Sequence, residues 1–380
     1  MRDETLIPLS KVRSFHFGYE GIMRLSRMLV AMAVVGLPLG VQAGEASGLY
    51  FSHHDWELAC DNTRTCRAAG YQRDGDRPAV SVLLTRKAGP HEPVTGELRI
   101  GKLDGDAADI LASEGRLSLR IDGELVGRVE LALGTLSAEL SEREMAALLP
   151  ALRRDSVIEW VAGDSRWRLS DSGAAAVMLK MDDFQGRVGT PGAMVRQGSR
   201  REEDVLPPLP APIVIAAPVA EGGAADRPLT SATLQEVREV LRATLEHEDE
   251  CFGLAAPEDG GRELTASRLS DSRWLVSTLC WQAAYNMGEG YWVINDAPPY
   301  EPVLVTESGS FYEDGTIIAA HKRRGIGDCW SRNDWTWDGE QFIHTVSFLT
   351  GMCRLVTAGG AWTLPTWVTE IRRAADGRPR

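Results

Sequence analysis

The chain has 380 residues, of which 43% are hydrophobic, and its formal net charge is −13 at pH 7. This length is enough for two domains of ordinary size, each with its own core. The acidic excess would repel phosphate backbones and anionic lipids, so it argues against nucleic acid as a partner and against direct docking on a membrane.

An export signal lies near the amino terminus. A basic segment begins at Met23, and it is followed at 28–40 by an apolar run that is too short to span a bilayer but suits a signal peptide. Val-Gln-Ala at 41–43 fits a small-residue cleavage site. We predict a signal peptide at 23–43 and interpret residues 1–22 as an over-long start assignment. The alternative is a short buried core helix.

No cysteine stands at the predicted cleavage site, and no later apolar run has membrane length. We therefore expect neither a lipid anchor nor membrane insertion. The predicted location of the mature protein is the periplasm or the extracellular space.

Short strand signals fill the front half of the chain, predicted as a β-rich domain over 44–199. Apolar residues there alternate or cluster at strand length, and Asp122-Gly123 is a hairpin turn signal. The predicted strands cover 79–84, 97–100, 117–121, 125–133 and 157–169, with a turn at 163–165 in the last.

One helix is predicted within this half. Ser141 and Glu144 have the spacing of a capping box, in which each residue binds the backbone N–H of the other. The apolar residues that follow fall on one helical face: Met145, Leu148, Leu149 and Leu152.

The segment 200–228 is dense in Pro, Ala and Gly, a composition typical of an extended linker. We predict that it joins the front domain to a second one over 229–380. A long loop packed on one domain is the alternative, which the apolar run at 213–215 leaves open.

The second half is predicted to be β-rich and aromatic, since eight of the 11 tryptophans follow residue 270. Thr233 and Glu236 suggest a capped helix ending near Glu246. Strands are predicted at 273–282, 290–294, 303–306, 316–320, 341–348 and 352–356, with turns at 314–315 and 338–339. The predicted fold is α+β and mainly β, with two β-rich domains, each with a helix.

The six cysteines form an even set in a chain predicted to be exported, which favours disulfides over metal ligation. No Cys-x-x-Cys occurs and the histidines are scattered, so we predict no metal and no cofactor. Pairing sequence neighbours gives Cys60 with Cys66, Cys251 with Cys280, and Cys329 with Cys353.

Several stretches of the second half resemble a family of secreted bacterial proteins known only as a domain of unknown function. They are CWQAAYN at 280–286, GYWV at 290–293, WTWDGEQF at 335–342 and Cys353-Arg354. The front half is also similar to the invasion-associated locus B family, and the stretches that carry this similarity are WELAC at 56–60, Cys66 and MDDFQ at 181–185. The first resemblance implies no activity, and the second implies a link to host contact.

Motifs of catalysis are absent or incomplete. The nucleophile-elbow pattern Gly-x-Ser-x-Gly does not occur. His53-His54-Asp55 cannot converge on one metal from a strand, where neighbours point to opposite faces, so we interpret it as a polar surface. His247 lacks the second histidine four residues on that a zinc protease helix needs. We therefore predict no catalytic residue, although enzyme activity stays open.

The best candidate for binding is an aromatic and amide cluster, because aromatic faces with polar tips suit sugar rings or peptide side chains. The alternative is that these aromatic residues belong to a buried β core that is cross-linked through Cys280. The cluster comprises Trp281, Tyr285, Asn286, Tyr291 and Trp292.

These observations predict a non-catalytic binding or interaction protein of the bacterial cell envelope, with a glycan, a peptide or an envelope protein as partner. One alternative is an envelope hydrolase acting on glycan or peptide, with Glu289, Asp296 or His321 as acid or base. Another is a structural protein that contributes to stress tolerance. A cleft with two converging titratable groups would favour the enzyme.

Overall fold

The computed structural model describes residues 48–101, 115–132, 134–220, 230–247, 250–255 and 260–374. The predicted over-long start and the predicted signal peptide at 23–43 lie outside the described residues. The same holds for 221–228 of the predicted linker.

Two antiparallel sheets build the front half. The first contains β1 (Leu49–His53), β2 (Trp56–Cys60), β3 (Cys66–Tyr71), β4 (Val80–Arg86), β5 (Val94–Ile100) and β8 (Ser137–Leu140) in that spatial order. The second contains β6 (Arg116–Ile121), β7 (Glu124–Glu130), β9 (Ile158–Ala162) and β10 (Ser165–Leu169), in the order β10-β9-β6-β7. The predicted strand at 157–169 is thus two strands joined by a turn.

Helix α1 (Glu142–Ala151) has the predicted capping box: Glu144 N donates to Ser141 Oγ, and Ser141 N donates to Glu144 Oε2. Its buried Met145 and Leu148 join a core shared by both sheets, which includes Trp160 and Trp167. Both tryptophans are therefore core residues.

Helix α2 (Ala174–Phe184) was not predicted. Its buried residues Ala174, Val177, Met178 and Met181 follow the helical spacing i, i+3, i+4, i+7, so the signal was present in the sequence. It begins after Gly173, which has a φ of 97° and offers no capping side chain. That missing cap removes the usual start signal of a helix.

The second half contains two further antiparallel sheets. One has β12 (Thr265–Arg268), β13 (Arg273–Gln282), β14 (Met287–Asn295) and β15 (Val303–Gly309), paired in that order. The other has β16 (Phe311–Glu313), β17 (Thr316–Lys322), β18 (Trp330–Trp337), β19 (Phe342–Leu349) and β20 (Leu364–Trp367), also in order. The mainly β, α+β fold predicted from the sequence is confirmed.

Helix α3 (Ser231–Arg242) begins earlier than predicted. Its N-cap is Thr230, whose side chain accepts from Thr233 N, so the capping box assigned to Thr233 and Glu236 is wrong. The helix covers one face of the β12–β15 sheet, where Val237 and Leu241 pack with Trp292. The opposite face of that sheet packs on the β16–β20 sheet, with Tyr291 against Ile317 and Trp337.

The predicted strand at 352–356 is also wrong, because this segment is irregular. Its backbone N–H groups bind acidic side chains instead of a neighbouring strand: Met352 N donates to Glu57 Oε1 at 2.5 Å, and Leu355 N donates to Asp328 Oδ2 at 2.7 Å. Arg354 pairs with Asp55 at 2.9 Å. The segment thereby fastens the end of the chain to the first sheet.

Part of the predicted linker packs against neighbouring segments of the protein. Glu202 forms an ion pair with the fully buried Arg187 at 3.2 Å, and β11 (Ile213–Ala216) pairs in parallel with β21 (Glu370–Arg373). The described residues belong to one compact unit, in which each half has a hydrophobic core and a further core joins the halves through contacts that include Tyr71 and Trp362. The domain boundaries at 199 and 229 stay a prediction.

The three disulfides join the predicted neighbours: Cys60–Cys66, Cys251–Cys280 and Cys329–Cys353. Disulfides persist in oxidising compartments, so they indicate a non-cytoplasmic protein. Among the described residues, no helix combines the length and the apolarity needed to cross a membrane.

Candidate functional site

The β13–β14 hairpin separates the five residues of the predicted aromatic cluster. Tyr291 and Trp292 are neighbours on β14 and so point to opposite faces. Tyr291 is buried between the two sheets, and Trp292 is buried beneath α3, where its Nε1 donates to Thr244 Oγ1 at 2.9 Å. These two residues therefore belong to two different cores.

The other three residues gather at the tip of the hairpin. Tyr285 is 47% exposed, and the ring of Trp281 lies 5.2 Å from that of His321. Asn286 has a structural contact: its Nδ2 donates to Lys322 O at 2.8 Å, and Lys322 N donates to its Oδ1 at 3.0 Å. The amide thus fastens the hairpin tip to β17, and the exposed aromatic surface is Tyr285.

The three acid–base candidates do not converge. Glu289 and Asp296 are separated by seven positions along β14 and its end, which corresponds to roughly 23 Å of extended chain. His321 Nε2 lies 3.2 Å from Met287 O at the hairpin tip. Neither Asp296 nor His321 lines the cavity that contains Glu289.

That cavity is an open groove of about 680 Å³ between the β12–β14 strands and β16. Its floor is one face of the sheet, where Thr265 pairs with Ser277 and Ser277 pairs with Tyr291. Phe311, which is 45% exposed, lines its edge. We call this cavity the hydroxyl groove after its side chains: Thr265, Ser267, Ser277, Thr278, Tyr291, Ser310 and Tyr312.

In the groove, a tyrosine side chain holds the carboxylate of Glu289. Tyr291 Oη donates to Glu289 Oε2 at 2.6 Å, and Glu289 Oε1 has no hydrogen-bond partner in the described part of the chain. Burial raises the pKa of Tyr291, and the neighbouring Glu289 raises it further. The phenol therefore remains a proton donor at neutral pH and fixes the orientation of Glu289.

Two charged groove residues were not singled out from the sequence. Glu263 lies two positions before Thr265, outside β12, and its backbone O accepts a hydrogen bond from Thr278 Oγ1 at 3.0 Å. The guanidinium of Arg262 lies 5.8 Å from the ring centroid of Phe252. The sequence did contain one signal for this part of the groove: hydroxyl residues alternate at 265 and 267, which is the spacing of a strand, but no strand was predicted there.

A second, smaller cavity lies at the hairpin tip. It measures about 400 Å³, and we call it the tip pocket. None of its lining residues in the described part of the chain is charged, and Ser310 lines both it and the hydroxyl groove. Its lining consists of Gln282, Ala283, Ala284, Tyr285, Asn286, Met287, Ser310, Ala320 and Trp330.

The groups considered for metal binding are separate from these cavities. His53 ends β1, His54 has a φ of 52°, and the Asp55 carboxylate is bound by Ser170 and Arg354. The three do not form one ligand set. Glu246, His247 and Glu250 have ligand atoms within 4.8 Å of one another, but on a largely exposed surface, and we assign no metal to them.

Comparison with known proteins identifies the family. No solved structure matches the chain. An uncharacterized protein of Escherichia coli K12, YpfG, is 27% identical over 341 residues, covering 83% of this chain and 92% of its own. A family model described as "protein of unknown function (DUF1176)" matches residues 50–369. Because that match spans most of the sequence, the chain belongs to the DUF1176 family.

Proposed function

We propose that this protein is a non-catalytic binding protein of the bacterial cell envelope, either periplasmic or secreted, and that its hydroxyl groove holds a neutral glycan. The observation that carries the proposal is the lining of that groove. Thr265, Ser267 and Ser277 place hydroxyl groups on one sheet face, beside the exposed ring of Phe311. Hydroxyls both donate and accept hydrogen bonds, and an aromatic face covers apolar C–H surface, so together they match a sugar.

Charge favours a neutral ligand over an anionic one. Glu263 and Glu289 line the groove and Arg262 supplies its one cationic side chain among the described lining residues. The chain as a whole carries a formal charge of −13. A phosphate-rich or otherwise anionic ligand would meet a repulsive field both at long range and in the groove.

The disulfides and the predicted signal peptide support this location in the cell envelope. Three disulfides suit an oxidising compartment. A protein exported to that compartment meets the glycans of the cell envelope, which supports a carbohydrate as the ligand.

One observation favours hydrolysis as a second candidate function: Glu263 and Glu289 share the groove. Glu263 lies just before β12 and Glu289 lies on β14, and the two strand spacings between β12 and β14 correspond to about 10 Å between backbones. A hydrolase would use one carboxyl group to protonate the leaving oxygen as the glycosidic C–O bond breaks, while the other carboxylate takes a proton from a water whose oxygen bonds to the anomeric carbon. Glu289 would be one member of that pair.

An array of neutral oligosaccharides separates the two functions. We expect the wild-type protein to bind and to leave the bound oligosaccharide uncut. Thr265→Trp should abolish binding, because a large ring at this exposed position would fill the groove. Glu340→Gln, an exposed change outside the groove, is the control and should bind like wild type.

Shortened oligosaccharide products would instead support the hydrolase, provided that Glu289→Gln binds the sugar without cutting it. Wild-type protein that binds no member of the array, or a Thr265→Trp variant that binds normally, would refute the groove as a glycan site.

A further inference from the structure

We infer that the ligand is an extended glycan of more than one sugar ring. It runs from the hydroxyl groove, across Ser310, into the tip pocket. This inference rests on the proposed function. The two cavities lie end to end along the β13–β14 hairpin: Glu289 lines the first and Met287, two positions away, lines the second. Two strand positions correspond to about 7 Å.

At the junction between the cavities stands a small side chain, Ser310, that hydrogen bonds hold in place. Ser310 is small, and its hydroxyl is held by β17: Ser310 Oγ donates to Ala320 O at 3.1 Å and accepts from Ala320 N at 2.9 Å. The side chain therefore does not rise as a barrier between the groove and the tip pocket. A chain-like ligand can cross it while keeping contact with both cavities.

The chemistry of the tip pocket complements that of the groove. Tyr285 and Met287 are 47% and 50% exposed, and Trp330 completes an uncharged lining with three alanines. Such a surface offers area for stacking but few free hydrogen bonds. It suits the apolar face of a sugar ring, whereas the groove suits ring hydroxyls. The absence of charge in the described lining again favours a neutral unit.

Several contacts within the protein also hold the tip in place without a ligand. Asn286 makes two hydrogen bonds with the backbone of Lys322, and Ala283 N donates to Asn286 O at 2.8 Å. Trp330 Nε1 donates to Gly327 O at 2.9 Å, and the Lys322 ammonium lies 5.5 Å from its ring. Because these residues are already ordered, stacking a sugar there costs little additional conformational entropy.

The test is a titration with neutral oligosaccharides of one to six units of one sugar that the array shows to bind. We expect affinity to increase with length and then to level off once both cavities are filled. Tyr285→Ala should weaken binding of the long oligomers by roughly tenfold, the scale of one lost aromatic contact, and leave monosaccharide binding unchanged. Met287→Ala should act in the same direction.

Leu125→Ala is the matched control, because Leu125 is 50% exposed on β7 and lies outside both cavities. It should not alter binding at any length. Equal affinity for one and six units, together with no effect of Tyr285→Ala, would overturn the extended track and leave the groove function intact. No binding of any sugar would overturn both, and selective binding of extended neutral peptides would replace the glycan.

Discussion

The Cys329–Cys353 disulfide should contribute more to stability than the Cys60–Cys66 disulfide. We consider the double variants Cys329→Ser/Cys353→Ser and Cys60→Ser/Cys66→Ser, which leave no unpaired thiol. The late bridge closes a sequence separation of 24 and the early bridge a separation of 6. On the chain-entropy model these loops are worth about 3.5 and about 2.2 kcal/mol, because a longer closed loop restricts the unfolded chain more.

The folded state is expected to survive loss of the late bridge. Met352 N still donates to Glu57, Leu355 N to Asp328, and Gln72 Nε2 donates to Arg354 O at 2.8 Å. These contacts keep the 352–356 segment in place, so most of the loss should come from the freed unfolded chain.

Urea unfolding followed by tryptophan fluorescence measures both variants against wild type at a common denaturant concentration. The expected free energies of unfolding differ by about 1.3 kcal/mol, with the late double variant less stable. An early double variant that loses as much as the late one would refute the loop-length reasoning. Peptide mapping by mass spectrometry under non-reducing conditions verifies the pairing.

Two further predictions concern buried charge. Arg187→Met should lower the free energy of unfolding by about 3 to 5 kcal/mol, because it leaves the Glu202 carboxylate without its buried partner; the exposed Arg201→Ala is the control. In a urea series, equal losses for the two variants would contradict this. Burial raises the pKa of Glu57, so ionising this carboxyl costs more free energy in the folded state than in the unfolded state. The contribution of Glu57 to stability therefore falls as pH rises from its unfolded-state pKa of about 4.3 through its folded-state pKa. Glu57→Gln should therefore gain stability relative to wild type between pH 4 and pH 7, and a constant difference across that range would disprove it.

Local interactions account for what was predictable. The capping box at Ser141 and Glu144 and the hairpin turn at Asp122-Gly123 depend on residues within four positions of one another, so their signals are complete in the sequence. The turn residues have φ values of 52° and 84°, which a two-residue hairpin requires. The disulfide pairs could be chosen because each joins sequence neighbours. The likeness to the invasion-associated locus B family stays a prediction.

Long-range packing decided the rest. The sequence shows that Tyr291 and Trp292 point to opposite faces of a strand, but not that α3 covers one face and a second sheet the other. The segment 352–356 has the apolar content of a strand, yet Glu57 and Asp328 take its N–H groups from far along the chain.

The groove is the clearest case of a feature that the tertiary structure decided. The sequence by itself determined a mainly β, disulfide-bonded chain and drew attention to Glu289 and Tyr291. Their partners in the groove come from strands that pair through backbone hydrogen bonds, and the register of that pairing aligns Thr265 with Ser277. The register depends on which apolar residues the whole sheet buries and on the turns that join its strands, so no local pattern reveals which hydroxyls and carboxylates will share one face.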